Sequence, residues 1–248
     1  MEDLLLDQEC NHQNIDIAGV KVADLGSREL IGIMHARLAN DQKTALLFAN
    51  ANLIVQCWDM LDWFHREEVL IVSDGVAMDI AALLIHGYSF SENLNGTDFC
   101  PALFASMLPP RKIFLIGGRP GVAEKAGEVI RQRFGQVIVG CVDGFDQLRA
   151  KDICSQINAS GAEIVLVALG NPRQEAWIRK HFESIDSRLI IGVGALLDFL
   201  TGTVPRAPIW VRRMRGEWLF RLCLEPKRLL KRYSLDMFRF LYLALRYR

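Results

Sequence analysis

The sequence predicts an α/β fold: a mostly parallel, Rossmann-like sheet with helices on both faces, followed by a helical, basic C-terminal appendage. Three observations predict it. Short runs that are apolar at nearly every position recur along the chain. Stretches with helical spacing of apolar residues separate them. Near Val204 the alternation stops, and the chain becomes basic and aromatic. Strands without polar alternation are buried on both sides, and their alternation with amphipathic helices implies a parallel sheet covered on both faces.

The elements follow in order. The start, "MEDLLLDQECNHQNID", is acidic and broken by polar residues, unlike a signal peptide. "TALLFAN" reads as the first buried strand and "LIVQCWDMLDWF" as the helix behind it. "EVLIVSDG" is a strand ending in a loop, "VAMDIAALLIHG" its helix, and "GTDFCPALFASML" a further helix. "RKIFLIGG" is a strand, "RPG" a turn and "VAEKAGEVIRQRF" a helix. "VIVG" with "QLRAKDICSQINASG" repeats the theme, and "EIVLVALG" and "RLIIGVG" are two more strands. From "VPRAPIWVRRMRGEWLFRL" onward the pattern is helical, with Pro205, Pro208 and Pro226 punctuating the helix starts. The expected division is an α/β core over residues 1–204 and an appendage over 205–248.

Composition narrows the partners. The 248 residues are 51% hydrophobic and 23% charged, ordinary for a globular chain. Twenty-nine basic residues balance 29 acidic ones. The balance hides an asymmetry: residues 206–248 hold 12 basic and three acidic side chains, so the tail carries +9 and the body −9. Such a tail is expected to meet an anionic surface or ligand. The six Cys, at 10, 57, 100, 141, 154 and 223, form no C-x-x-C pair. No His or Cys cluster has zinc-ligand spacing, and a reducing cytoplasm is expected. No segment has the roughly 18 apolar residues needed to span a bilayer.

In open parallel sheets, ligands bind beyond the carboxyl ends of the strands. The loops that follow strands are therefore the candidates: Asn50–Asn52, Ser73–Gly75, Gly117–Gly121, Asp143–Phe145, Gly170–Gln174 and Gly194–Asp198. Asp74 directly follows a strand and precedes Gly75, so its carboxylate is placed to take a proton from an attacking hydroxyl, or simply to form a turn. Gly117 and Gly118 let backbone N–H groups approach an anion at a helix start, or merely make a tight strand–helix turn. In "VALGNPRQEAW", Gly170 and Pro172 fix an exposed loop. Arg173 there is suited to phosphate and Gln174 to a donor-and-acceptor role toward a sugar or base. The bland alternative is an ordinary helix start with Glu175 in its first turn. "GVGALLD" has half of a G-x-G-x-x-G fingerprint and lies late in the chain, and no Walker A sequence occurs.

These residues resemble the WecG/TagA/CpsF glycosyltransferases, glycosyltransferase family 26. "VLVALGNPRQEAWI", "IIGVGALLDFLTGTVPRAPIWVRR" and "EWLFRLCLEPKRLLKRY" carry the likeness. "FANANL", "SDGVAMD", "NGTDF", "IFLIGGRPGVAEKA" and "VDGF" match the remaining blocks in order, over roughly Ile15 to Tyr233. The resemblance implies a bacterial enzyme at the inner face of the cell membrane. Its reaction would move a sugar from a UDP-sugar to a polyprenyl-diphosphate-linked acceptor, with inversion and without a metal or other cofactor. It implies that Asp74 is the catalytic base and that Asn50 and Gln174 belong to the same catalytic group. It also implies that Arg206, Arg221 and Arg228 reach the nucleotide diphosphate. With the loop positions above, the donor site is expected to include Gly117, Gly118, Gly144, Phe145, Gly170, Pro172, Arg173, Gly194 and Asp198, and Asp98 is expected to meet the acceptor.

Two departures bear on the donor sugar. Phe48 stands two residues before Asn50 where some members have Thr, and "GVGA" places Ala195 where the family has Gly. UDP-glucose, UDP-N-acetylmannosamine and its uronic acid all stay open as donors. The alternatives are a nicotinamide-dependent oxidoreductase, on "IIGVGALLD", and a non-enzymatic membrane-bound scaffold, on the +9 tail. Expected partners are the donor, the lipid-linked acceptor, the membrane surface and a possible second copy of the chain; nucleic acid is not among them.

Overall fold

A computed structural model describes residues 12–145, 148, 152–208, 211, 216–224 and 226–247, without the side chains of 217, 221, 224 and 227–233. Eight strands form one sheet in the order β1-β2-β4-β3-β8-β7-β5-β6. They are β1 (Asn14–Ile17), β2 (Val20–Ala23), β3 (Thr44–Ala49), β4 (Val69–Ser73), β5 (Lys112–Gly117), β6 (Val137–Val142), β7 (Ile164–Ala168) and β8 (Leu189–Gly192). Only the β1–β2 pair is antiparallel. The mostly parallel α/β fold expected from the apolar runs is what the chain forms.

Every residue of β3, β4 and β8 is buried. Alternate residues face two separate cores, which explains why these strands show no polar alternation. Ala45, Leu47 and Ala49 belong to one core, Leu46 and Phe48 to the other. The first core is covered by α2 (Ala51–Gln56), α3 (Leu61–Phe64), α4 (Val76–His86), α7 (Ile153–Ala159) and α8 (Arg173–His181). The second is covered by α1 (Ser27–Ala39), α5 (Gly96–Ser106), α6 (Val122–Phe134) and α9 (Leu196–Leu200).

Two local readings change, and a third is described only in part. The β1–β2 hairpin and α1 precede the first strand that the apolar runs indicate. The hairpin turns at Ala18 and Gly19, both with positive φ, and the Asp16 carboxylate accepts the Gly19 N–H at 2.8 Å. The single helix expected through "LIVQCWDMLDWF" is instead α2, a 3₁₀ turn at Trp58–Met60, and α3. The break lets Trp58 Nε1 donate to the Ala18 carbonyl at 3.2 Å, tying the segment to the hairpin. Part of the helix expected over "QLRAKDICSQINASG" lies outside the described residues; α7 accounts for its second half.

Beyond Val204 no strand occurs among the described residues. Helices Glu217–Leu224 and Pro226–Arg246 form the tail. The longer one packs on α2 and α4. It sinks Phe240, Leu243 and Ala244 into the first core, and Tyr247 stacks on Trp58 with ring centroids 4.7 Å apart. The tail is thus bound to the core through one face of its last helix. Because Phe240 is fully enclosed, Phe240→Ala should cost about 3 kcal/mol in urea unfolding through the cavity it leaves. A loss below about 1 kcal/mol would mean that this helix is not part of the cooperative core.

Candidate active site at the carboxyl edge of the sheet

The site is a consequence of strand order. β3 and β8 are neighbours, yet the helices that follow them lie on opposite faces: α2 over the first core, α9 over the second. Where successive connections diverge in this way, a crevice opens outside the carboxyl ends of the strands. Register then sets its contents. Ala49 pairs with Ser73, so the next residues, Asn50 and Asp74, leave the sheet side by side.

Asn50 is half-buried and has two jobs. Its Oδ1 accepts the N–H groups of Asn52 and Leu53, both at 3.1 Å, and so caps α2. That fixes the amide so that Nδ2 points to Asp74 Oδ2, 3.4 Å away. Asp74 is itself held by its backbone: its N–H donates to the Ala49 carbonyl at 2.7 Å. Gly75 follows with φ 102°, a conformation open to glycine at little cost, and its N–H donates to Asn93 Oδ1 at 2.8 Å. The Asp74 carboxylate is therefore met by the Asn50 amide, while its backbone is fixed by the β3–β4 register and by the Gly75–Asn93 hydrogen bond.

The "GNPRQE" loop joins this centre by side-chain amides. Asn52 Nδ2 donates to Asn171 Oδ1, bridging the start of α2 to the loop after β7. Asn171 Nδ2 meets Cys57 Sγ at 3.5 Å, and burial pushes that thiol up to about 12, so it is a neutral partner. Gln174 is buried. Its Oε1 accepts the Gly194 N–H at 2.8 Å and its Nε2 donates to Glu175 Oε1 at 3.0 Å. The amide so ties the start of α8 to the loop after β8. Gly192 makes room for it: a Cβ there would collide with Gln174 Nε2 and lie 3.0 Å from its Cδ.

Two sets of contacts thus bridge four strand ends: Asp74, Asn50, Asn52 and Asn171 form one, and Gln174 with Gly194 the other, both drawing on the segment that follows β7. Asn52 and Asn171 lie within the strand-end loops that the sequence marks as candidates, with no role given to either there. Asn93 and Gly192 were not singled out; Asn93 lies between α4 and α5, where the sequence carried no signal for it. The role of Gly192 depends on a partner 18 positions away and had none.

A family comparison bears on this crevice. The family described as "Glycosyl transferase WecG/TagA/CpsF family" matches residues 15–248. The chain belongs to this family. It is accordingly a glycosyltransferase, of a family that serves the synthesis of cell-surface polymers. Membership agrees with the resemblance carried by the loop motifs, extends it to the end of the chain, and displaces the oxidoreductase and scaffold alternatives.

The remaining loop positions of this WecG/TagA/CpsF member fall at the same edge. Gly117 allows close approach of β5 to β7, since a Cβ would strike the Ala168 carbonyl; Gly118, with φ 74°, leaves Val122 its space. The Gly144 N–H donates to the Gly118 carbonyl at 2.9 Å, and Asp143 Oδ1 accepts the Phe145 N–H at 2.7 Å, so the β5 and β6 loops form one unit with an exposed Phe145 ring. Gly170 has positive φ, Pro172 leads into α8, and Arg173 is exposed at its first position. Asp198, in the first turn of α9, has its carboxyl raised above the ordinary range by burial, with the Arg119 cation acting in the opposite sense. Arg119, not singled out from the sequence, therefore stands near Asp198 as an exposed cation in the loop after β5.

Arg206 and Asp98 are brought together. Arg206 Nη2 lies 2.7 Å from Asp98 Oδ1 and donates to Thr97 Oγ1 at 3.1 Å, while its guanidinium stacks over Phe199 at 5.7 Å. Asn95 caps α5 and holds Asp98 from the other side, Nδ2 to Oδ2 at 3.0 Å. Arg206 is thus seated at the start of α5, on the second-core side of the crevice, whereas the last helix packs on the first-core side. The chain changes faces of the sheet between them. Arg221 and Arg228 lie on the backbone of the two tail helices, and their side chains fall outside the described residues.

The two departures also have places. Phe48 is buried against Phe99, centroids 5.9 Å apart, and would lie 3.1 Å from a Cβ at position 96. It fills the space under the start of α5. Ala195 is the residue before α9, half-buried next to Gly194.

The Gln174–Gly192 fit gives a test. Gly192→Ala should displace the Gln174 amide and cost about 1–3 kcal/mol in equilibrium unfolding, in the manner of an overpacked core. Gln174→Ala in the same background should recover part of that loss. If Gly192→Ala is neutral on its own, the loop after β8 is not fixed by this contact.

Proposed function

We propose that the protein is an inverting glycosyltransferase that moves a sugar from a UDP-sugar to a polyprenyl-diphosphate-linked saccharide, in bacterial cell-surface or exopolysaccharide synthesis. UDP-glucose, UDP-N-acetylmannosamine and UDP-N-acetylmannosaminuronic acid are the donors considered. The observation that carries this reading is the Asn50–Asp74 pair at the crevice mouth in a chain of this family.

The chemistry follows from what inversion requires. An acceptor hydroxyl must lose its proton as its oxygen attacks the anomeric carbon from the face opposite the leaving group. Asp74 takes that proton, with Asn50 keeping its carboxylate aimed. As the new carbon–oxygen bond forms, the bond to UDP breaks and negative charge develops on the diphosphate. Fixed cations stabilise that charge most where water is excluded. Arg206 supplies one, with Arg221 and Arg228 on the tail and Arg119 and Arg173 on the loops as further cations. Gln174 holds the loop after β8 in place around the donor, and Asp98 keeps Arg206 seated while facing the acceptor side.

The sequence has no D-x-D motif and an abundance of arginine around these loops, which supports a metal-independent leaving-group mechanism. The +9 tail supports placement of the enzyme as a peripheral protein on the inner face of the cell membrane, where a lipid-linked acceptor resides. Among the described residues no helix is long and apolar enough to cross a membrane. The division into a core over 1–204 and an appendage over 205–248 that completes the site is part of the same proposal.

Two measurements test it. Asp74→Asn should bind UDP in calorimetry as the parent does, while turnover with a UDP-sugar and a short-chain polyprenyl-diphosphate-sugar falls by about two to four orders of magnitude. Near-normal turnover would remove Asp74 from the base role. Transfer should also survive EDTA; a strict requirement for magnesium or manganese would move charge stabilisation away from the arginines.

A further inference from the structure

Two neighbouring helices each show an apolar stripe to solvent. On α4, Met78, Ala81 and Ala82 are buried, while Ile80, Leu83 and Leu84 are exposed, Leu84 at 62%. Their spacing of three and four residues puts them on one outer face. On the last helix, Phe240, Leu243 and Ala244 are buried in the core, while Phe238, Tyr242 and Leu245 are exposed, Phe238 at 74%. These three also share one face. The helices contact each other, so the stripes belong to one side of the molecule. A helix apolar on both its inner and outer faces is not explained by packing on its own core.

We infer that the outer faces of α4 and of Pro226–Arg246 together form a docking surface for an anionic lipid bilayer, so that the catalytic core meets lipid directly and not only through its tail. Charge selects this occupant. Arg239 and Arg246, each next to a stripe residue, are exposed, and the segment from Arg206 onward carries +9. Apolar side chains flanked by cations match the acyl boundary and headgroup layer of an anionic leaflet. A second copy fits less well. Two-fold pairing through this face would set two +9 tails against each other. Outside the tail and the α4–Tyr88 segment, the exposed large apolar side chains among the described residues are Leu108, Val137 and Phe145, on three separate segments, which offer no matching patch.

The surface has a consequence for the site. α4 starts two residues after Asp74, so docking α4 holds the mouth of the crevice at the membrane plane. The inference deepens the lipid-acceptor reading and rests on it for this purpose.

The test uses the full-length protein and phosphatidylglycerol–phosphatidylcholine vesicles. The triple variant Ile80→Gln, Leu83→Gln, Leu84→Gln should keep the parent's circular dichroism and UDP binding, yet partition into vesicles about tenfold more weakly or worse. Unchanged partitioning overturns the inference. So does a parent dimer in sedimentation velocity that becomes a monomer in the variant while vesicle binding stays. If the triple variant does not fold, Leu84→Cys labelled with an environment-sensitive fluorophore, in a chain with Cys10, Cys141, Cys154 and Cys223 replaced by Ser, gives the second readout. Its emission should shift to the blue on adding vesicles, and no shift overturns the inference. Failure of the parent to bind UDP, with vesicle partitioning through α4 intact, would instead sink the donor reading and leave the docking surface standing.

Discussion

The parallel register between β3 and β4 is the constraint on which the candidate chemistry depends. Pairing Ala49 with Ser73 forces Asn50 and Asp74 out of the sheet at the same height and side by side. A slip of one residue would send one of the two side chains to the other face of the sheet. Register is secure here because both strands are buried throughout, so a slip would exchange residues between two different cores. The core packing therefore does more than stabilise the fold; it sets the relative position of a carboxylate and the amide that aims it.

The same coupling recurs one strand over, in a different form. Gln174 is placed by a void: Gly192 withholds a Cβ at the carboxyl end of β8, and the amide from the first turn of α8 occupies that space. Its oxygen then holds Gly194, and its nitrogen meets Glu175. Amide groups suit such joints because one side chain can both donate and accept, as Asn50, Asn171 and Gln174 do here, while Asn52 donates and Asn93 accepts. The joints between the loops are built mainly from neutral amides, and the other carboxylates at this edge, like Asp74, each have a partner: Glu175 meets Gln174, Asp98 meets Arg206, Asp143 the Phe145 N–H, and Asp198 faces Arg119. In a partly buried crevice that economy matters, since each charge removed from water is costly unless paired.

Much of this was legible in the sequence, for identifiable reasons. Five strands announced themselves because double burial leaves no polar alternation, β6 showed as a short apolar run at the sheet edge, and the strand ends with the segments behind them contained Asn50, Asp74, Gly117, Gln174 and Gly194. The β1–β2 hairpin was missed because its short strands are interrupted by Asn14, Asp16 and Lys21 and give no continuous apolar run, and its turn relies on positive φ at Ala18 as well as Gly19. The break between α2 and α3 was missed because the contact that goes with it, the Trp58 bond to Ala18, spans 40 positions. Motif resemblance could name Gln174, Asp98 and Arg206 but not what each touches. The question raised by "GNPRQE" is answered differently for each residue: Gln174 and Glu175 turn inward and join the loops, while Arg173 stays in solvent.

Phe48 shows how a departure from the family pattern acts at a distance. Its ring does not lie open in the crevice. It is packed beneath Gly96 and against Phe99, at the start of α5. That helix start is where Asn95 holds Asp98, and Asp98 with Thr97 holds Arg206. A Thr at position 48 would leave the space now filled by a phenyl ring, and the first turn of α5 would have to move inward to close it. Arg206 would move with that turn, because its salt bridge and its hydrogen bond both end on it. The volume at position 48 thus reaches the guanidinium through α5, and the hydroxyl that Phe48 lacks is only part of what the substitution changes.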